Sequence, residues 1–282
     1  MRVLVALLIA CTCVALSNAQ TRDLTFVVGF AAGGTSSTAA RILADATATI
    51  EGVNVVVENI PTAGGKLAAS RVMQSESSQM LLVMSATSLL RIPPDIGLVP
   101  VGIFAKYKYV LATRRGASLN LLAYMAAARR DKRPRNVATA GAGSVAHLIA
   151  EKMFEEHGAT MIHVPYPGSA PAMRDVLGGH VDMAVVPMPD AVAQEVNLQI
   201  LAESGQGIPV EGWMGLYAPR VATQEDTGRL GMLFAKAAER SRENLKRVGF
   251  EGMWLSALEL RRTHERDYAQ LYPILRKLGI EP

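Results

Sequence analysis

Short apolar runs alternate with amphipathic stretches along almost the whole chain. Leu24–Gly29 (LTFVVG) reads as a buried strand, followed by the small-residue loop 30–34 and a helix from Thr35 to about Ile50. Val53–Glu58 is a second strand, Pro61–Gly65 a turn, Lys66–Gln74 a short helix and Met80–Ser85 a third strand. The pattern restarts after Arg114-Arg115-Gly116. There the spacing predicts a helix over 119–130, a strand over 136–139, a loop at 140–143 and a helix over 144–157. Strands over 160–164, 181–186 and 198–202 follow, with helical stretches over 170–177 and 191–196 between them. Parallel neighbours need a crossover, usually a helix, so strand–helix alternation predicts βαβ units. The tail from about Thr223 to Leu278 reads as helical and charge-rich, with Glu243 and Arg247 at i,i+4 spacing.

The first 19 residues fall outside this pattern. Met1-Arg2 is followed by an almost unbroken apolar run from Val3 to Leu16 and then by Ser17-Asn18-Ala19. This is the layout of a secretory signal, with cleavage expected after Ala19. The run is short of the ~20 residues that span hydrocarbon. Leu8-Ile9-Ala10-Cys11 loosely resembles a lipoprotein box, but the apolar run continues past Cys11. Cys11 and Cys13 are the two cysteines of the chain, so a mature form would have no thiol, disulfide or cysteine–metal site. A soluble, exported protein is expected.

Composition narrows the classes further. Half of the 282 residues are apolar and 19% charged, which excludes a disordered polyelectrolyte. The formal charge of +4 is too mild to argue for nucleic acid, and it does not oppose an anionic small ligand.

Two Gly-rich loops carry the candidate chemistry. In the first, Gly33 and Gly34 let backbone N–H groups approach a ligand, and Thr35, Ser36 or Ser37 can cap the following helix. A helix N-terminus has unpaired donors and favours an anion. The second loop, Ala140-Gly-Ala-Gly-Ser144, has the same place in the second half. Its G-x-G-x-x-A is a weak dinucleotide fingerprint, and the acidic partner after the next strand is missing, where Pro165-Tyr166 stands. Gly64-Gly65-Lys66 lacks the spacing of a P-loop. Ser144 and His147 share a helix face and could form a nucleophile–base pair, but no G-x-S-x-G elbow surrounds Ser144. A capping serine followed by a first-turn histidine is the plainer reading. His147, His157, His163, His180 and His264 show no metal-ligand spacing. The basic run over 129–135 reads as a solvated surface loop.

At these loops the sequence resembles the substrate-binding receptors of tripartite tricarboxylate transporters, the Bordetella uptake gene family of periplasmic solute receptors. The stretches that carry the resemblance are LTFVVGFAAGGTSSTAARILAD (24–45), VNVVVENIPTAGGKLAA (53–69), NVATAGAGSVAHL (136–148) and MIHVPYPGSAPAMRDVLGGHVDMAV (161–185). The resemblance implies an α/β, two-lobed periplasmic-binding-protein fold with two crossover segments. It implies that backbone amides, hydroxyls and waters hold a carboxylate-bearing solute between the lobes. Lobe one is expected over 22–114 plus 219–282 and lobe two over 115–218. The crossings are expected near Thr113–Gly116 and Leu216–Arg220, with Trp213–Ala218 as the strand returning to lobe one.

The expected site comprises Phe30, Ala31, Gly33, Gly34, Thr35, Ser36, Ser85, Gly141, Ala142, Gly143, Ser144, His147, Tyr166 and Val186, with no cofactor or metal. The expected protein is a monomeric, non-enzymatic receptor that passes a small organic anion to membrane permease subunits. A ligand sensor for a membrane signalling protein is the neighbouring alternative, and an exported Ser144/His147 hydrolase the alternative of another class. Two departures from the family pattern bear on the solute. Ser37 and Val186 stand where the family usually carries Asp. The chain is also shorter around 91–99 and 205–211. A solute without a protonated amine is therefore expected, with Asp190 at a helix start facing solvent.

Overall fold

The computed structural model describes residues 23–61, 65–117, 120–192, 198–204 and 210–280. The secretory-signal reading, with Cys11, Cys13 and the cleavage point after Ala19, lies outside these residues.

Two mixed sheets carry the fold. The first contains β1 (Leu24–Val28), β2 (Val55–Asn59), β3 (Met80–Ser85), β4 (Val99–Tyr107), β10 (Gly212–Ala218) and β11 (Glu251–Ser256), in the order β11-β4-β10-β3-β1-β2. The second contains β5 (Tyr109–Arg114), β6 (Arg135–Thr139), β7 (Met161–Pro165), β8 (Met183–Pro187) and β9 (Leu198–Glu203), in the order β7-β6-β8-β5-β9. Each sheet contains three mutually parallel strands: β1 pairs with β2 and β3, and β6 with β7 and β8. The helices α1 (Thr35–Glu51), α2 (Lys66–Met73), α3 (Leu121–Asp131), α4 (Val145–Glu156), α5 (Ser169–Gly178) and α6 (Met188–Val192) follow strands β1, β2, β5, β6, β7 and β8. Both faces of a parallel sheet are then covered, which is why β1 and β8 are nearly continuous apolar runs.

The sheets divide the chain differently from the expected lobe limits. β5 pairs antiparallel with β8 and β9, and β10 pairs antiparallel with β3 and β4. The chain thus changes sheet at Lys108, between β4 and β5, and returns between Ser204 and Gly212. It does not cross near Thr113–Gly116 or Leu216–Arg220. Arg114-Arg115-Gly116 is a real turn, closed by Ala117 N–H on Arg114 O (3.2 Å), but it links β5 to α3 within the second lobe. Val99–Arg114 carries no turn residue at the crossing, because the chain stays extended as it passes from sheet to sheet.

The tail differs too. Helices α7 (Gln224–Arg247) and α8 (Ala257–Lys277) flank β11, which pairs with β4 at the edge of the first sheet. Capping boxes fix both helix starts, Thr223 with Asp226 and Ser256 with Glu259. Helix α7 packs on α1, whereas α8 packs on β4 and also reaches α4 of the second lobe.

Candidate functional site: the cleft between the sheets

Both predicted loops lie at the carboxyl ends of parallel strands, where open α/β sheets bind ligands. The loop after β1 leads into α1, whose N-cap is Gly34 and whose first turn has no side-chain cap from its own element. Asn59, at the end of β2, donates from Nδ2 to Phe30 O (2.8 Å) and holds this loop in place. The loop after β6 leads into α4, where Ser144 Oγ caps the helix by accepting His147 N–H (3.2 Å). Between the two loops lies a cavity of about 540 Å³, lined by Phe30, Ala31, Gly141–Ser144 and Tyr166 among others. A second chamber of about 150 Å³ shares Phe30, Ala31, Thr87 and Ser144 with it and extends to Gly34, Thr35, Ser36 and Asp190. Together they have the size of a small-molecule site.

A stacked histidine pair supports the second loop. His147 and His163 lie ring on ring, centroids 3.6 Å apart. His147 Nδ1 accepts the N–H of Gly143 (3.1 Å), and its Nε2 faces Glu151 (3.3 Å). His163 Nε2 contacts Thr139 Oγ1 (2.7 Å), which donates to Gly141 O (3.2 Å). These partners fit two neutral rings. Burial lowers both pKa values to about 4, helped at His163 by its neighbour. Neither ring nitrogen of His147 is directed at Ser144 Oγ. The geometry makes Ser144 a cap and His147 a support for the loop.

The charges of the cleft sit at its two ends. In the larger chamber Arg91 Nη2 donates to Ala142 O (3.3 Å), joining the first lobe to the second. In the smaller one, the Thr35 hydroxyl donates to Asp190 Oδ1, again between lobes. The Asp190 carboxyl also takes hydrogen bonds from the Thr35 backbone and the Ser169 side chain, which favour its charged form. Burial acts the other way and is the stronger, so its pKa is raised. Thr87, Tyr107 and Tyr109 join their hydroxyls at 3.2–3.4 Å, and Thr87 and Tyr109 form part of the cleft wall.

Ten of the fourteen expected site residues line this cleft: Phe30, Ala31, Gly34, Thr35, Ser36, Gly141, Ala142, Gly143, Ser144 and Tyr166. The other four do not. Gly33 forms the turn before α1 with φ +84°. Ser85 is buried at the end of β3. His147 stands behind its loop, and Val186 lies in the core of the second lobe beside Val110. Alternation along β8 turns Val186 inward and leaves Pro187 on the cleft, where Asp190 of α6 joins it. Ser37 is likewise buried and donates to Asn59 Oδ1 (3.3 Å), away from the cavity. The expectation that Asp190 faces solvent is wrong, because α6 begins directly at Met188 and carries the carboxylate toward α1. Sequence reasoning also passed over Arg91, Thr87, Tyr109 and Ser169. Ser169 lies within the stretch 161–185 that carries the resemblance, whereas no local motif marks Arg91, Thr87 or Tyr109, since segments distant in sequence bring them together. Among the described residues no cluster of three His, Cys, Asp or Glu side chains could hold a metal ion.

Residues 39–197 match the family described as "Tripartite tricarboxylate transporter family receptor". A Cupriavidus necator protein of the UPF0065 group is 25% identical over 288 residues, covering 92% of this chain and 88% of its own. Among solved structures, the R. palustris protein Rpa4515 with adipate superposes with a TM-score of 0.80 at 24% identity, covering 94% of this chain and 100% of that one. MatC from Rhodopseudomonas palustris with bound malate gives 0.75 at 22%, covering 90% and 98%. Given the matched family and the two-lobed fold with its cleft, the chain belongs to the tripartite tricarboxylate transporter receptors, the periplasmic solute-binding proteins of that family.

Proposed function

We propose that this chain is exported to the periplasm, loses residues 1–19, holds a small organic carboxylate between its lobes and delivers it to a membrane permease of the tripartite type. The observation that carries the reading is the strand–loop–helix N-terminus at 140–144, with Arg91 beside it, facing the loop 29–36 across one cavity. Backbone donors at such termini suit an anion, and charge-assisted hydrogen bonds contribute roughly 1.5–3 kcal/mol each. Family membership and the adipate and malate held by the two R. palustris proteins support the same ligand class. The hydrolase alternative finds no support, because both nitrogens of His147 are engaged away from Ser144.

Native mass spectrometry of the protein as purified, followed by calorimetry with a carboxylate panel, tests the reading. Retention or micromolar binding of an organic acid is expected. Turnover of generic esters without binding of any carboxylate would overturn it. Delivery is tested by solute uptake in cells expressing the permease with and without this chain.

A further inference from the structure

We propose that Asp190 is the specificity-determining residue of the cleft and that it selects against a second solute carboxylate. The inference rests on the reading of the cleft as a carboxylate site. The two chambers differ in charge. Arg91 is the cation of the larger one, beside Gly141–Ser144, and Asp190 is the carboxylate of the smaller one, at the start of α1. Asp190 occupies the position an anion would take there, accepting from the Thr35 hydroxyl and backbone and from Ser169. The α1 N-terminus thus already faces a carboxyl group supplied by the opposite lobe, and the donors of Thr35 and Ser169 aimed at it favour its charged form. A solute carboxylate brought to this end would meet a like charge in a place poorly screened by water, which is unfavourable. One carboxylate fits at the Arg91 end. The other end of the solute then meets acceptors: the Asp190 oxygens and the hydroxyls of Thr35, Ser36 and Ser169. A hydroxyl, amide or ammonium group satisfies them, whereas a carboxylate does not. The preferred class is a monocarboxylate with a hydrogen-bond donor at its far end, in contrast to the dicarboxylates held by the two R. palustris proteins.

The test compares matched pairs by calorimetry: succinate with 4-hydroxybutanoate, and adipate with 6-hydroxyhexanoate. The wild-type chain is expected to bind the hydroxy acid of a pair at least ten-fold more tightly. Asp190→Asn, which keeps the shape and an acceptor oxygen, is expected to reduce that ratio at least ten-fold. The wild-type ratio stands as a test even where the variant fails to fold. A dicarboxylate that binds wild type as tightly as its hydroxy partner overturns the inference and leaves the receptor reading intact. So does a folded Asp190→Asn with an unchanged ratio. Failure of all four acids on both proteins overturns the receptor reading together with it.

Discussion

Ser204 and Tyr109 stitch the two inter-lobe crossings together. The Tyr109 N–H donates to Ser204 Oγ at 2.9 Å, the Ser204 N–H donates to Tyr109 O at 2.9 Å, and the Ser204 hydroxyl donates on to Val210 O at 2.8 Å. One small buried side chain thus serves the first residue of the outgoing strand and the start of the returning segment. Ser204→Ala leaves the buried Tyr109 N–H and Val210 O without this partner, and an unsatisfied buried group costs about 1–3 kcal/mol. Urea unfolding should show a loss of that size. A change below about 0.5 kcal/mol, ordinary for surface substitutions, would show that the stitch is not structural.

Two cleft glycines should respond differently to alanine. At Gly143, φ is +70° and an added Cβ would stand 2.9 Å from Ile280 Cγ2 and 3.1 Å from Leu275 Cδ1. Gly143→Ala combines left-handed backbone strain with a clash and should destabilise the fold by about 1–3 kcal/mol. Gly34 has φ −79°, and its nearest neighbour would be Ala31 O at 3.5 Å. Gly34→Ala should leave the melting temperature nearly unchanged while weakening solute binding, because the methyl group enters the cleft. Melting curves and calorimetry on both variants check the contrast.

Ser144→Ala separates a cap from a nucleophile. Removing the Oγ that accepts His147 N–H should cost about 1 kcal/mol of stability, the usual value for an N-cap. Any basal ester turnover should be unchanged. Loss of a measurable hydrolytic rate in this variant would reinstate the enzyme reading.

Acid should destabilise the protein through its buried histidines. His264 contacts Ile92 O through Nε2 (2.9 Å) and the Tyr217 hydroxyl through Nδ1 (2.8 Å), and burial lowers its pKa to about 4. The unfolded chain titrates near 6.5 and therefore takes up protons first as pH falls. The stabilisation is complete above about 6.5 and declines down to about 4, where one such group accounts for about 3 kcal/mol. His147 and His163 add in the same direction. Urea midpoints at pH 7 and 4.5 should differ clearly, and His264→Gln should flatten the slope between them. Equal midpoints at the two pH values would exclude buried neutral histidines.

Most elements and the two Gly-rich cleft loops were legible because Gly and Pro punctuate them: Leu24–Val28 and Met80–Ser85 fall within one residue of their expected limits. The crossing at Lys108 was hidden, since a strand that leaves one sheet for another looks locally like a single strand. β11 was hidden for the opposite reason. Glu251–Ser256 is six residues between two strongly helical stretches, and its extended state comes from pairing with β4. The site was misread where facing matters. In a strand one residue separates core from cleft, and Val186 turns inward. Asp190 was named but expected to face solvent, because the sequence does not show that the first turn of α6 packs toward α1.

The contact of Ile280 and Leu275 with Gly143 has a practical side. Helix α8 starts from the first lobe, yet its far end rests on the wall of the cleft in the second. Lys277 pairs there with Glu155 of α4 at 2.9 Å. A fluorophore placed on the exposed Lys277 side chain would ride on the boundary between lobes, within reach of the loop 140–144. The fold thus offers a ready attachment point for an optical biosensor. For the same reason, affinity measurements are better made with any purification handle placed elsewhere.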